Sequence, residues 1–469
     1  MATLQSTNAR PKIIVLDDDP TGSQTVHSCL LLLKWDVATL KLALEDASPI
    51  FFVLTNTRSL TSEAARSITT DVCTNLKQAL AETNITNFLL VSRSDSTLRG
   101  HYPVETNAIA DILGPFDAHF LTPAFFEAGR ITLQSTHYIE DTNGIRTPTH
   151  ETEFAQDSVF GYSTSYLPDY VAEKTKGNIS ASQVERFQIE DIRSGTLERL
   201  LALHSNQCVA VDAQTQSDLD QFANELVTAA THGKKFLFRS AASLLTSLAA
   251  LPEQPTPSKK MHQLTRSNNG VVLVGSHVQT TTRQLKHLLQ EPGIIGIEID
   301  VSQLQIPEDQ RLEDQNLEDQ NSEDQNPEDL EKVCNKILAT LLSQIQRAHA
   351  HGKTPVVYTS RKELTFPKAS DRLAFGKAVS ALLTALVKNL PTDLGYLISK
   401  GGITSNDTLS QGLSLTAARL LGQIIPGVSV VTTPADHVQF ANLPVILFPG
   451  NVGDDNALAL TYKRLSAAD

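Results

Sequence analysis

Short apolar runs recur along the chain, and most of them end in a polar or glycine-containing loop. Runs this short, apolar on both faces, favour buried strands. They are Ile13–Leu16, Cys29–Leu33, Phe51–Leu54, Phe88–Val91, Cys208–Val211, Phe236–Phe238, Val271–Val274, Val356–Tyr358, Tyr396–Ile398, Val428–Val431 and Val445–Phe448. Helix-like stretches lie between many of them, among them Leu197–His204, Leu219–His232, Leu330–His351 and Arg372–Asn389. This alternation predicts an α/β protein with largely parallel sheets.

The chain of 469 residues is too long for one compact domain, and we expect two domains, with three as the alternative. A polar, proline-containing segment at residues 252–268 has the composition of a linker between two halves. The predicted domains are therefore residues 1–251 and 269–469.

A five-residue repeat, of the form LEDQN, begins at Pro307. Residues 307–331 hold eleven acidic residues and one basic residue, so they repel one another and cannot bury a core. We expect a disordered insertion over residues 305–330; an acidic docking segment is the alternative. This segment accounts for most of the formal charge of −13, and the rest of the chain carries 41 acids against 38 bases. Such a balance gives no basic field for nucleic acid.

The sequence features that report on location favour the cytoplasm. The first twelve residues contain no apolar core of a secretory signal, and no apolar run approaches the roughly 18 residues that span a membrane. The four cysteines are far apart and form no C-x-x-C motif, which fits a reducing compartment. We predict a cytoplasmic protein without a membrane partner.

Three adjacent carboxylates, Asp17 to Asp19, follow the first predicted strand and lead into Pro20-Thr21-Gly22-Ser23. The carboxyl ends of strands are where open α/β sheets bind ligands. Like charges packed together cost stability, so a cation or a polar ligand is expected to offset them. A solvated turn is the alternative, because Asp, Pro and Gly are turn residues themselves.

A second polar loop, Ser92 to His101, also follows a predicted strand. Arg93 and Arg99 offer guanidinium groups for a carboxylate or phosphate, and Asp95, Ser96 and Thr97 suit a polyol. In the alternative interpretation, Asp95 caps a helix and pairs with Arg99 four residues later.

Three glycine-containing loops in the second half each follow an apolar run: residues 275–277, 400–407 and 449–455. Glycine lets the backbone approach a phosphate, and helix N-termini attract anions. Helices are predicted after each loop, at Thr281–Leu289, Thr408–Leu420 and Asn456–Leu465. Three such loops in one domain indicate a nucleotide, although neither a Walker A loop nor a G-x-G-x-x-G motif occurs.

These loops together resemble the four-carbon acid-sugar kinase family, whose members phosphorylate threonate, erythronate or 3-oxo-tetronate with ATP. The match covers nearly the whole chain in order. It consists of Asp18-Asp19-Pro20-Thr21-Gly22, Asp95-Ser96-Thr97-Leu98-Arg99-Gly100, Phe236 to Ala242, Val271 to Ser276, Tyr358-Thr359-Ser360-Arg361, Gly401-Gly402 and Pro449-Gly450.

The resemblance implies an acid-sugar domain at 1–251, an ATP domain at 269–469 and an active site in the cleft between them, closed over the substrate. The expected cofactors are ATP and Mg²⁺, for which the sequence names no ligands. Asp18 is the expected base, with Asp19 as rival, and Arg93 or Arg99 would hold the substrate carboxylate beside Asp95 and Ser96. The expected ATP-binding residues are Ser276, Gly401, Gly402, Ile403, Thr404 and Gly450.

Other functions remain open from the sequence. An aldolase or dehydrogenase could act on a similar acid, although clustered histidines and a dinucleotide fingerprint are missing. A non-catalytic sensor of sugar acids and ATP is the third reading, since Ile403 and Phe448 depart from the usual family residues. The particular acid and the formation of a homo-oligomer are left undecided.

Overall fold

The computed structural model describes residues 10–304 and 327–466, apart from positions 142, 268, 362, 363, 365, 367 and 368. It divides into two compact units. The first contains the chain up to Thr256 together with Thr416–Ser429, and the second contains Pro257–Leu415 together with Val430–Asp469. The predicted insertion at 305–330 lies outside the described residues, except that its last four positions are helical.

The first unit is built on a sheet of nine strands with helices between them. The strands are β1 (Lys12–Asp17), β2 (Leu30–Leu32), β3 (Ile50–Leu54), β4 (Phe88–Arg93), β5 (Ala118–Thr122), β9 (Glu185–Phe187), β10 (Gln207–Val211), β11 (Phe236–Ser240) and β16 (Ala417–Ile425). Their order across the sheet is β16, β2, β3, β1, β4, β11, β5, β10, β9. Strand β16 pairs antiparallel to β2, and the other pairs are parallel.

The first unit contains helices between its strands, and some of these helices begin at recognisable capping residues. The helices are α1 (Val37–Glu45), α2 (Ser62–Thr83), α3 (Val104–Leu113), α4 (Leu167–Lys174), α5 (Ile189–Ser194), α6 (Leu197–Ala202), α7 (Gln216–Thr231) and α8 (Ala242–Ala249). Thr61 accepts a hydrogen bond from the Ala64 amide and starts α2, which ends at Asn84 in the left-handed conformation. Such local signals fix the ends of helices, whose packing then covers the sheet.

Aromatic side chains fill the core of the first unit beside β5. Phe120 stacks on Phe238 at 5.2 Å between ring centroids and meets Phe187, Phe222 and Phe236 edge-on. All five are essentially inaccessible to solvent. Offset and edge-on contacts are the arrangements that aromatic rings prefer, so this cluster joins β5, β9 and β11 to helix α7.

A small antiparallel sheet, not predicted from the sequence, stands apart from the large one. It contains β6 (Arg130–Leu133), β7 (Thr136–Glu140) and β8 (Arg146–Pro148). Its strands carry few long apolar runs, so the pattern that identified the buried strands does not reveal them.

The second unit repeats the parallel architecture. Its strands are β12 (Gly270–Val274), β13 (Ile294–Ile299), β14 (Thr354–Thr359), β15 (Tyr396–Lys400), β18 (Pro444–Phe448) and most of β17 (Val428–Thr432), which enters this unit at Val430. They follow the order β13, β14, β12, β15, β18, β17, and the first five run parallel. The helices are α9 (Gln279–Leu288), α10 (Pro327–Ala350), α11 (Ala369–Lys388), α12 (Gly402–Asp407) and α13 (Ala457–Ser466). The predicted α/β class is therefore confirmed.

The helix predicted at Thr408–Leu420 is wrong. One π-helical turn covers Thr408–Gly412, and the chain then forms β16, which belongs to the first unit. Burial alternates along β16, with Ala418, Leu420 and Ile424 inside. This two-residue period is the strand signal, and leucines at helical spacing concealed it.

Among the described residues, no helix is both long and apolar enough to cross a membrane.

Candidate active site

The acidic loop after β1 is held from inside by Asp17. This side chain is completely buried, and burial raises its pKa to about 7. Gly22 packs directly on it: a Cβ there would lie 2.0 Å from the Asp17 Oδ1 atom. Because that approach is open to glycine alone, Gly22 and Asp17 fix the path of the loop that presents Asp18 and Asp19.

Arg58, which sequence reasoning missed, is the main partner of the two expected catalytic carboxylates. Its Nε and Nη2 donate to Asp18 at 3.2 and 2.5 Å, and its Nη1 donates to Asp19 at 3.2 Å and lies 3.8 Å from Asp95. It lies just after β3, in a short polar turn without an apolar or glycine signal. The proximity of these groups follows from the β3–β1–β4 order of the sheet.

The two carboxylates differ in their affinity for a proton. Burial raises the pKa of Asp18, although Arg58 opposes this. Burial also acts to raise the pKa of Asp19, but Arg58 and Arg93 outweigh it, so that pKa is lowered. Asp19 in addition accepts from the amide and hydroxyl of Thr21. Asp18 is therefore the better proton acceptor of the pair.

Arg93, expected to bind substrate, lies beneath these acids rather than beside open solvent. Its Nη1 is 3.5 Å from Asp17 and 3.6 Å from Asp18, and 6% of the side chain is exposed. Its Nε and Nη1 atoms are buried without a hydrogen-bond partner. Arg93 thus provides positive charge to the acidic loop from a buried position.

The second polar loop is organised around Asp95. Arg99 Nε donates to Asp95 at 2.9 Å, and its Nη1 lies 3.6 Å from Asp157. Thr97 also donates to Asp95. Burial would raise the pKa of Asp95, but Arg58 and Arg99 hold it well below its usual range. Asp95 and Arg99, four residues apart, thus form the ion pair that the alternative interpretation of this loop predicts.

Three side chains hold consecutive carbonyl groups of this loop. His137 Nε2 lies 2.8 Å from the Ser96 oxygen, and the hydroxyls of Tyr162 and Tyr170 donate to the Thr97 and Leu98 oxygens at 2.7 Å. Burial lowers the pKa of His137 to about 4, so the ring is neutral and Nε2 carries its proton toward Ser96. The backbone is thereby fixed with Leu98 at φ +67°.

Arg239 at the end of β11 completes the site. Its Nη1 donates to Glu105 at 2.6 Å and to Ser92 at 2.7 Å. Gly100, at φ +122°, passes so close that a Cβ would lie 2.5 Å from Arg239 Nη2 and 3.1 Å from an Asp18 oxygen. The glycine of the second loop therefore brings its backbone against the residues of the first.

Buried polar atoms without partners converge at this edge of the sheet. They are Asp17 Oδ2, Arg93 Nε and Nη1, and Arg239 Nη2, at the carboxyl ends of β1, β4 and β11. Buried polar groups are nearly always satisfied in proteins, by ordered water or ligand where the chain does not suffice. This edge of the first unit has the character of a binding site for a polar molecule.

In the second unit the three glycine loops meet at Ser276. The Ser276 amide donates to the Lys400 oxygen, and Thr281 Oγ1 donates to the Gly450 oxygen at 2.8 Å beside Ser276 Oγ at 3.1 Å. At Gly401, with φ +124°, a Cβ would lie 3.0 Å from that of Ser276. Loops that are far apart in the sequence thus form one cradle, as the Thr281–Gly450 hydrogen bond across 169 residues illustrates.

A cavity of about 770 Å³ opens beside this cradle. Ser276, Gly401, Gly402, Ile403 and Thr404 line it, while Gly450 lies behind Ser276. Phe366 and Phe375, in contact at 5.0 Å, and Leu383 supply an apolar wall. Arg361 supplies a cation, fixed by a 2.6 Å bond from Nη1 to the Ser276 oxygen. The size and mixed lining suit a nucleotide.

Lys400 connects two of the glycine loops from within. Its ammonium group donates to the Pro449 and Gly450 oxygens and lies 4.0 Å from the Phe448 ring centre. The side chain is completely buried, and desolvation lowers its pKa to about 7. Lys400 therefore holds the loop that backs Ser276.

No group of three or more His, Cys, Asp and Glu residues arranged to hold a metal ion occurs in the described part of the chain. Asp455 pairs with Arg283 at 2.8 Å, and Asp454 accepts from the Asn456 amide. Magnesium ligands are not evident from these contacts.

Comparison with known proteins gives the family. Residues 13–248 match a sugar-binding N-terminal domain, and residues 271–458 match a nucleotide-binding C-terminal domain. Both domains are those of the four-carbon acid-sugar kinase family, and the chain belongs to that family.

The chain is also similar to individual proteins. It is 24% identical over 311 residues to D-erythronate kinase of Heliobacterium modesticaldum, an alignment that spans 63% of this chain and 64% of that enzyme's length. A solved structure from Salmonella typhimurium LT2 has a TM-score of 0.64 at 18% identity, covering 96% of this chain and 98% of the other. Haemophilus influenzae protein HI1011 gives a TM-score of 0.58 at 17% identity, with 96% and 100% coverage. These two likenesses concern the fold.

Proposed function

We propose that this protein is a kinase that transfers a phosphoryl group from ATP to a hydroxyl of a four-carbon acid sugar. The observation that carries the proposal is the convergence of Asp18, Asp19, Asp95 and their arginines with unsatisfied buried polar atoms at one sheet edge. Polar groups of both signs in one place suit a small molecule with hydroxyls and a carboxylate. Family membership supports the same substrate class.

The first unit would bind the sugar. Asp95, Ser96 and Arg99 lie on a loop whose carbonyls are held in place, so their side chains are oriented before substrate arrives. Asp18 would accept the proton of the attacking hydroxyl as the oxygen–phosphorus bond forms. Its raised pKa favours that role over Asp19, whose charge would help to orient the hydroxyl.

The second unit would bind ATP. The aromatic wall of its cavity suits a base, and the glycine cradle with Arg361 suits phosphates. Phosphoryl transfer needs positioning and charge neutralisation more than covalent participation by the protein. Mg²⁺, if used, would neutralise the phosphate oxygens and keep several of its waters, so few protein carboxylates are needed.

The test is turnover of the full-length chain with ATP and a panel of threonate and erythronate stereoisomers and 3-oxo-tetronate. ADP formation that depends on one of the acids, with the phosphorylated acid identified by mass spectrometry, is the expected result. Erythritol and threitol serve as controls that share the hydroxyls without the carboxylate. ADP formation without an acid, or none with any acid, would contradict the proposal.

A further inference from the structure

We infer that Arg130, at the start of β6, is the residue that binds the carboxylate of the substrate; the inference rests on the proposed acid-sugar specificity. Sequence reasoning placed this role on Arg93 or Arg99. Arg130 was not a candidate because it is the first residue of a strand, whereas the loops selected from the sequence follow strands.

Arg130 has a cationic group that no carboxylate of the described residues contacts, although the charge of Asp95 acts on it from farther away. No carboxylate oxygen of the described residues lies within 4.0 Å of its guanidinium. Its Nη1 donates to the Ala128 carbonyl, and its Nε is buried without a hydrogen-bond partner. Desolvation lowers its pKa, although guanidinium remains charged at neutral pH. A half-buried cation whose Nε is shielded from water and that has no carboxylate in contact favours an anion from outside the chain.

The neighbouring arginines already have such counterions. Arg58 pairs with Asp18 and Asp19, Arg93 lies against Asp17 and Asp18, and Arg239 pairs with Glu105. A substrate carboxylate would have to compete with these fixed acids.

Arg99, the other sequence candidate, is occupied in the same way. Asp95 lies 2.9 Å from its Nε, and Asp157 lies 3.6 Å from its Nη1. Displacing two carboxylates costs more than filling an unoccupied guanidinium, so Arg130 is the favoured partner.

Arg130 also lies next to the loop that would hold the sugar. Phe154 lies beside both arginines, with its ring centre 5.1 Å from Arg99 Cζ and 6.0 Å from Arg130 Cζ. The charges of Arg130 and Asp95 both act on His137, the ring that holds the Ser96 carbonyl. A molecule whose hydroxyls meet Asp95 can therefore extend its carboxylate toward Arg130.

The experiment compares binding of acid and neutral ligands to the full chain by calorimetry. The ligands are the four-carbon sugar acids, erythritol and threitol, and the variants are Arg130→Gln and Arg130→Lys. Arg146→Gln is the matched control, because Arg146 lies on the same small sheet, pairs with Glu140 and is exposed. Thermal unfolding verifies that each variant is folded.

We expect Arg130→Gln to weaken binding of the acid by about 10- to 100-fold, as for loss of a charge-assisted pair of hydrogen bonds, with polyol affinity unchanged. Arg130→Lys should restore part of the loss, since it keeps charge but not the fork. Arg146→Gln should match wild type.

Equal loss for acid and polyol, or wild-type acid affinity in Arg130→Gln, would overturn the inference. So would an acid-selective loss in Arg99→Gln that Arg130→Gln does not share. If the wild type binds an acid but never phosphorylates it, the kinase proposal fails. The comparison of the Arg130 variants then still tests whether Arg130 binds the carboxylate of that acid. If it binds no acid at all, both fail.

Discussion

Replacing Arg58 with glutamine should destabilise the first unit far more than loss of an ordinary surface arginine. Asp18 is 2% exposed and Arg58 is 19% exposed, so the pair is shielded from water. At an effective dielectric constant of about 20, each unit-charge pair at distances of this order is worth roughly 4–5 kcal/mol before desolvation is subtracted. Breaking a buried pair by removing one partner costs about 3–5 kcal/mol net.

Arg66→Gln is the matched control. Arg66 pairs with Asp111 at 2.9 Å, but the two side chains are 51% and 59% exposed. Exposed pairs of this kind contribute about 0–1 kcal/mol. Both changes remove one guanidinium group, but Arg58 lies within 4.0 Å of three shielded carboxylates and Arg66 of one exposed carboxylate, so the comparison sets a shielded cluster of charges against an exposed pair.

Urea denaturation followed by tryptophan fluorescence is the assay. Trp35 is the one tryptophan of the sequence and packs against the core of the first unit, so its emission reports on that unit. The free energy of unfolding of Arg58→Gln should fall short of the wild-type value by most near pH 7, and this deficit should shrink as the pH falls.

The sign of that pH dependence follows from the carboxylates. Arg58 lowers the folded-state pKa of Asp19 and Asp95, a contribution present above their unfolded values and lost as the pH falls through the folded ones. Without Arg58 the already raised pKa of Asp18 rises further, and that penalty disappears on protonation. A deficit equal to that of Arg66→Gln, or one that grows toward acid pH, would refute the reasoning.

Three further predictions concern single side chains. Asp18→Asn should lower kcat by about 10²- to 10⁴-fold with ATP affinity unchanged, whereas a selective loss in Asp19→Asn would move the base by one residue. Gly401→Ala should weaken ATP binding in calorimetry, because Gly401 has φ +124° and its added Cβ would crowd Ser276. Gly352→Ala is the control, since Gly352 has φ +62° and open space around it. Equal ATP affinities of the two variants would contradict the prediction. The pKa of Lys400 is about 7 in the folded protein, below its value in the unfolded chain, so the stability of the second unit should rise between pH 7 and 10. Lys400→Met should abolish that rise. An unchanged rise in circular-dichroism melting curves of the variant would contradict the prediction.

Much of the parallel architecture is encoded locally. Val271–Val274 and Tyr396–Ile398 are apolar on both faces because each strand lies between two neighbours and under helices, and this burial leaves a continuous apolar run in the sequence. The polar loops after them are equally visible, since a strand that ends at a binding edge passes directly from apolar to polar residues.

The composition of the candidate site, in contrast, depends on contacts between distant segments. Arg58 reaches Asp18 because β3 lies beside β1, and Arg239 reaches Glu105 across 134 residues. Arg58 has no local pattern that sets it apart from a surface residue, and although Arg239 directly follows the predicted strand Phe236–Phe238, nothing near it in the sequence indicates Glu105 as its partner. Arg130 differs from the other arginines of the site because it has no carboxylate partner among the described residues. The sequence around Arg130 gives no sign of this difference.

The sequence by itself determined the α/β class, the two polar loops and the three glycine loops, because backbone preference and burial act over neighbouring residues. Tertiary structure decided that Thr416–Ser429 belong to the first unit, that β16 is a strand, and which charges are paired. Strand pairing and charge neutralisation are set by residues far apart in the chain. Their free energies arise only when desolvation, distance and partner are fixed together by the folded structure.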